Sequence, residues 1–461
     1  MRPAPHQAPP QRPRRWRLAI ALLAILLAHS AAAAASLTGQ GAVGDGHSDD
    51  TAAVQRAITQ AAPGSVLDGE NKVYSVRGSI RIDRDLTLRN ASFVQDSGPD
   101  GVEGRHDTRT LFVRGPGQTP LRVRLHDIKV NRGANRHQGS PSDAAGIWID
   151  GAVDSELVNV EITGHGRGSG LLMADVRNVV VRKLWVHDMT WAPCRQQSEG
   201  LPYDAVRKAW NAYMVVPMRN CAKAGAQRER IQEPLAGVVI VRSQKVQLIA
   251  PVIERLYAAF ADGRELAWQT DGITIGADGS GPDGQPQRSD ILVQSARIAQ
   301  VWEGIDMTGQ PLTGVQVLDA RISDIHAIGV KAANGASEIS VRNTQVSNSG
   351  LAGFAVGGKN NANRPAPATH AVHIVDSVAR NTGANGFWQG QALVAGFRVM
   401  NSTVQDAYDV LIENSSAEND ADSTGMRFGF HAECRSAMVI RNVKSAGHGQ
   451  AVVLVEPAAC R

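Results

Sequence analysis

The apolar residues of this chain fall in short alternating runs, each led by a small residue. The runs are Gly146-IWID, Gly170-LLMAD, Gly272-ITIG, Gly304-IDMTG, Gly329-VKAA, Gly353-FAVGG and Gly386-FWQG. Within the repetitive parts they recur every 22 to 33 residues or so. Between them lie second strand-like runs: LVNVEI, VVVRKLWV, ILVQSARI, VQVLDARI, ISVRNTQV and VHIVDSVA. Alternation sends one set of side chains inward and the other to solvent. Repeats of this period predict a solenoid in which each rung buries its core only by stacking on the next. One helical pattern stands in front. Val54, Ala57, Ile58 and Ala61 share a face, Ser48, Asp49 and Asp50 offer N-cap oxygens, and Pro63-Gly64 ends the run. An open-ended stack needs such a cap. Residues 190–236 break the repeat and predict an insertion projecting from one rung, on the binding face if it follows other solenoids.

The N-terminus changes the charge argument. Arg12, Arg14, Arg15 and Arg17 precede an apolar run, Leu18 to Ala28, and a small-residue stretch, Ala31 to Ala35. This reads as an export signal over residues 1–35, with an uncleaved anchor as the alternative. The formal charge is +4, and the segment carries five arginines and no acid, so the mature chain is at 4 − 5 = −1. The excess basicity is a targeting device, and no nucleic-acid footprint is expected. After cleavage residues 36–461 form one long domain, secreted or periplasmic, with no stable membrane span. Its low aromatic and high glycine content suits a repeat structure. Four cysteines, Cys194, Cys221, Cys434 and Cys460, read as two disulfides in an exported protein. Cys194–Cys221 with Cys434–Cys460 is the simplest of the three pairings.

The run from Gly41 to Ile58, G-A-x-G-D-G-x-x-D-D-T-A-A-x-Q-x-A-I, resembles the N-terminal signature of the pectate-lyase-like superfamily. That superfamily includes polygalacturonases, rhamnogalacturonases, C5-epimerases and phage tailspikes. The resemblance implies an all-β chain wound as a single-stranded right-handed parallel β-helix with an N-terminal capping helix. It implies a polysaccharide partner and leaves the reaction open. Asp45, Asp49 and Asp50 of the signature are expected to be structural.

Two repeats carry candidate chemistry. Asp271-Gly272-Ile273 and Glu303-Gly304-Ile305 share one form, so their carboxylates are expected on adjacent rungs, roughly 4.8 Å apart. Like charges that close push one pKa upward, which suits acid/base cleavage of a glycosidic bond. Asp306 and Lys331 fall two residues after consecutive glycines, as a surface ion pair or as part of the site. The same outward position holds Trp148 and Trp388, either edge packing or flat platforms for sugar rings. Beside the polygalacturonase-type hydrolases, Gln269-Thr270-Asp271 looks like their Asn-Thr-Asp rung. Glu303 matches the second residue of their Asp-Asp rung, where Trp302 replaces the first. Their Gly-His-Gly rung has no match in register, His326 lying two residues from its slot, and Arg-x-Lys is absent. The catalytic expectation is therefore Asp271, Glu303 and Asp306, with Trp148, Lys331, Trp388 and His326 at the substrate. No metal or cofactor is expected for a hydrolase. A lyase or C5-epimerase would need a cation such as Ca2+ or Lys331 at the uronate carboxylate. A non-catalytic binding or envelope scaffold is the third reading, and a monomer is the expected state.

Overall fold

The structure is a computed structural model. It describes residues 35–95, 109–134, 145–165, 168–191, 235–259, 265–266, 270–276, 288–309, 312–357, 368–384, 394–400, 407–420, 425–432, 438–447 and 450–454. The export segment, most of the 190–236 insertion, all four cysteines and Trp388 lie outside these residues.

The chain winds as a right-handed parallel β-helix. One face is a sheet of twelve parallel strands, from Ile80–Ile82 through Ala145–Asp150, Thr270–Gly276, Ile305–Thr308 and Ile328–Ala333 to Gln450–Leu454. The other strands form the remaining two faces. In the first rungs one long strand covers both: Val153–His165 passes through Asn159, at φ 54°. In later rungs the runs expected to be single second strands are two, as in Thr313–Leu318 and Arg321–Ile325. The corner between them is one residue in the left-handed region: Asp319, Asn343, Asp376 and Asn414 on successive rungs. Asx residues tolerate that conformation. They also pair along the stack, the Asn343 side-chain amide donating to the Asp319 carboxylate at 2.7 Å.

Inward residues make one continuous core, with Ile147, Leu171, Val238, Ile273, Ile305 and Val330 buried on consecutive rungs of the twelve-stranded sheet. Phe354, Phe397 and Phe430 stack in it with ring centroids 4.8 Å apart, the spacing of parallel strands. The helix Thr51–Gln60 closes the first rung with Val54, Ala57 and Ile58. Its N-terminus differs from the expected cap. The Asp50 carboxylate, 1% exposed, instead accepts the backbone N–H groups of Val43 and Gly44.

The leading glycines form an unbroken ladder, which sets the register of the site. A Cβ on Gly272 would lie 2.6 Å from the Gly304 carbonyl oxygen, and one on Gly304 would lie 2.3 Å from that of Gly329. Ile298 and Ile322 crowd them from inside at 2.7 Å. The ladder also holds Gly237, Gly396 and Gly429, which the sequence pattern did not single out, while Gly386 lies outside the described residues. Gly304→Ala is expected to destabilise the protein by about 1–3 kcal/mol through overpacking against backbone. Gly276→Ala, whose Cβ would have no neighbour nearer than 3.6 Å, should cost far less. Urea unfolding of the two variants checks this.

Candidate active site

The register of the twelve-stranded sheet brings the predicted acids together. Gly272 N–H donates to the Glu303 carbonyl at 2.8 Å, Ile273 N–H to that of Gly304 at 3.0 Å, and Trp302 N–H to that of Thr270 at 2.8 Å. Asp271 and Glu303 therefore hold the same position on adjacent rungs. Thr274, Asp306 and Lys331 are direct partners in the next outward column. Carboxylate oxygens of Asp271, Glu303 and Asp306 lie within 4.8 Å of one another.

The cluster is buried: Asp271 is 0%, Glu303 6% and Asp306 4% exposed. The Lys331 ammonium sits between two of the acids, paired with Glu303 and 3.1 Å from Asp306 Oδ2. The Asp306–Lys331 pair is thus an interior one rather than the surface pair the sequence allowed. Thr274 donates its hydroxyl to Asp271 Oδ2 at 3.1 Å. Asp271 Oδ1 and Asp306 Oδ1 are buried and accept no hydrogen bond from the described residues.

These surroundings separate the acids chemically. Burial pushes the Asp271 carboxyl well above the usual carboxylate range, and the Glu303 and Asp306 charges add to it. Burial also raises Glu303, to about 7, against the lowering pull of Lys331. Lys331 goes upward because its three acidic neighbours outweigh its own burial. A dry acid with no cation in contact keeps its proton, and one held by an ammonium is poised near neutrality.

A pH dependence of stability follows. Asp271 and Glu303 bind protons more tightly in the folded chain than in the unfolded one. Their contribution is present in full below the unfolded value and is lost as pH rises through the folded one. For Glu303 the window runs from 4.5 to about 7. The unfolding midpoint is expected to be higher at pH 5 than at pH 8, and Glu303→Gln should flatten that difference in thermal melts.

The other expected residues are arranged differently. Trp148 stands in the outward column of Asp306, but four rungs earlier, roughly 19 Å away at strand spacing. Its indole packs beside Phe112, and the Arg109 guanidinium lies 4.0 Å above its ring. As a sugar platform it would first have to shed that cation. His326 stacks on Trp302 with centroids 4.3 Å apart, and burial lowers it to about 4, so the ring is neutral. The slot after Glu303 in its column belongs to Ile328. Ile328 joins Trp302, Ala327, Ala352, Ala355 and Val394 in an apolar cluster on the C-terminal side of the acids. Trp302, noticed in the sequence only as a departure, thus walls the site.

The three carboxylates are the one group among the described residues whose oxygens are close enough to share a metal ion. Lys331 already supplies a cation to two of them.

The sequence matches no protein-family model and no curated protein. Solved structures do match. The A-module of mannuronan C-5 epimerase AlgE4 from Azotobacter vinelandii is similar with a TM-score of 0.54 at 14% identity, over 92% of this chain and 98% of that one. PfbA, a surface adhesin of Streptococcus pneumoniae, gives 0.50 at 12% identity, over 91% and 93%. At these identities an epimerase and an adhesin can share a backbone without sharing chemistry. The likeness establishes the right-handed parallel β-helix and leaves the reaction to the site.

Proposed function

We propose that this protein is an exported carbohydrate-active enzyme that hydrolyses glycosidic bonds of a polysaccharide at Asp271 and Glu303. The observation that carries the reading is the three-carboxylate cluster on adjacent rungs, with Glu303 raised to about 7. Asp271 holds the proton that the leaving oxygen needs. Glu303 supplies the carboxylate that attacks the anomeric carbon, breaking the glycosidic C–O bond. Water then hydrolyses the glycosyl ester, with Asp271 acting as base. The short separation of the acids suits this nucleophilic route better than an inverting one, which needs room for a water between them. Lys331, itself anchored by Asp306, holds Glu303 in place.

Lys331 also weighs against the lyase and epimerase readings. Both reactions need a cation on the substrate carboxylate, and this ammonium is engaged by Glu303 and Asp306. A second reading, a polysaccharide-binding scaffold, draws on the burial of the acids. Export to the periplasm or beyond is supported by the Arg12 to Ala35 segment. No helix among the described residues is long and apolar enough to cross a membrane.

The test is to incubate the mature protein with a panel of acidic and neutral polysaccharides. New reducing ends without ultraviolet absorbance from unsaturated sugars are expected. Reducing ends with that absorbance identify a lyase. Exchange of the C5 proton without chain cleavage identifies an epimerase. Binding with none of these identifies the scaffold.

A further inference from the structure

A second feature lies on another face, away from the acids. An open cleft of about 430 Å³ crosses the strands Val252–Ala259, Arg297–Ala299, Arg321–Ile325 and Gln345–Ser349. Its outward column carries Val252, Arg297, Arg321 and Gln345 on successive rungs, and Trp185 stands one rung before Val252. Arg297 and Arg321 are exposed direct partners, so their Cα atoms lie roughly one strand spacing, 4.8 Å, apart.

These two arginines are set apart by their surroundings. Three other basic side chains on this face have acids: Lys129 with Glu161 at 2.9 Å, Arg255 with Asp188, and Arg380 with Glu418 at 2.9 Å. Arg297 and Arg321 make no ion pair with any described residue. Like charges directly opposite on neighbouring strands repel, and nothing among the described residues relieves this pair. The cleft's own acid, Glu254, is taken by the Arg255 guanidinium at 2.7 Å and the Trp185 indole N–H at 3.3 Å. Trp185 is 39% exposed, and its ring is fixed by stacking on His187 at 3.6 Å. The column therefore presents a rigid aromatic face, then Val252, then two guanidinium forks unmatched among the described residues, then the Gln345 amide. Guanidinium forks bind planar oxyanions bidentately. A linear polymer laid along the helix axis and carrying regularly repeated acidic groups would meet this column lengthwise.

We propose that this cleft is a second, non-catalytic binding face for an acidic polysaccharide bearing carboxylate or sulfate groups. Arg297 and Arg321 hold the anions, and Trp185 stacks on a sugar ring. The assignment rests on the polysaccharide reading for the class of ligand and is independent of any chemistry at Asp271.

The experiment is affinity electrophoresis and calorimetry of the mature protein with oligogalacturonate, dextran sulfate, neutral dextran and duplex DNA. Binding to oligogalacturonate or dextran sulfate is expected, and which of the two binds more tightly identifies the anion. It should weaken as ionic strength rises from about 0.01 to about 0.15 M. Arg297→Gln/Arg321→Gln should weaken it by about tenfold or more, as expected for lost charge-assisted hydrogen bonds, and Trp185→Ala should weaken it as well. Asp271→Asn/Glu303→Gln should leave it unchanged, so the two sites fail or stand separately. Parental affinity in the double arginine variant overturns the proposal, and so does equal binding of neutral dextran. Equal binding of duplex DNA through the same arginines also overturns it, by making the cleft a general polyanion site.

Discussion

Glu303→Gln is expected to lower depolymerising turnover by about 10²–10⁴-fold, the range for loss of a positioned acid–base group. The substitution keeps the shape of the side chain and leaves an amide oxygen to accept from Lys331. It removes only the charge that the proposed reaction uses. The fold should survive, because an uncharged residue beside Asp306 relieves like-charge repulsion and because Lys331 retains Asp306 at 3.1 Å. Thermal melts at pH 8 at or above the parental value are the control. The pH profile discriminates further. The parent's kcat/KM should rise through a limb near 7, where Glu303 loses its proton, and the variant should lack that limb. An unchanged profile with unchanged turnover would remove Glu303 from the chemistry. Asp271→Asn should be comparably inactive, because the asparagine has no proton to give the leaving oxygen.

The fold was legible in the sequence because the ladder glycines mark each rung and the residues after them alternate. The same signal is ambiguous where two Gly-led runs compete. Gly386-FWQG and Gly396-FRV both fit the pattern; Gly386 lies outside the described residues, and Gly396 follows Gly353 on the ladder, where Phe397 stacks between Phe354 and Phe430. That contact spans more than thirty residues on either side, beyond any local pattern. Gly237 carries the full signature but follows directly on the irregular segment 190–236, which hides it as a rung. The pairing of Asp271 with Glu303 was readable, since it depends only on register. Burial of the pair was not, because exposure depends on what surrounds the rungs. Lys331 could be placed beside Asp306, a direct strand partner. Its reach to Glu303, on the diagonal, comes from a four-carbon side chain whose direction register does not set.

Lys331→Met should produce the largest loss of stability, about 3–5 kcal/mol, the usual cost of removing one partner from a buried ion pair. The side chains involved are only 15% exposed for Lys331, 8% for Glu303 and 6% for Asp306, so water does little to compensate. Methionine fills similar space, which isolates the charge. Without the ammonium the Glu303 and Asp306 carboxylates face each other unscreened beside the protonated Asp271, and a proton taken up by either relieves the repulsion. Losing Lys331 raises Glu303 above its parental value of about 7, so the defect should be greatest at alkaline pH and shrink as pH falls toward 7, where the parent takes up the proton as well. In a solenoid each rung contacts only its neighbours, so the damage should be local. Hydrogen exchange should quicken in the strands 270–276, 305–308 and 328–333 while the Phe93 and Tyr74 rungs near the cap keep their protection. Adding Glu303→Gln to Lys331→Met should restore most of the loss, because it removes one of the stranded charges. Parental stability of Lys331→Met at pH 8 would show that the acids are already protonated without the lysine. In that case Glu303 could not supply the carboxylate the proposed reaction requires.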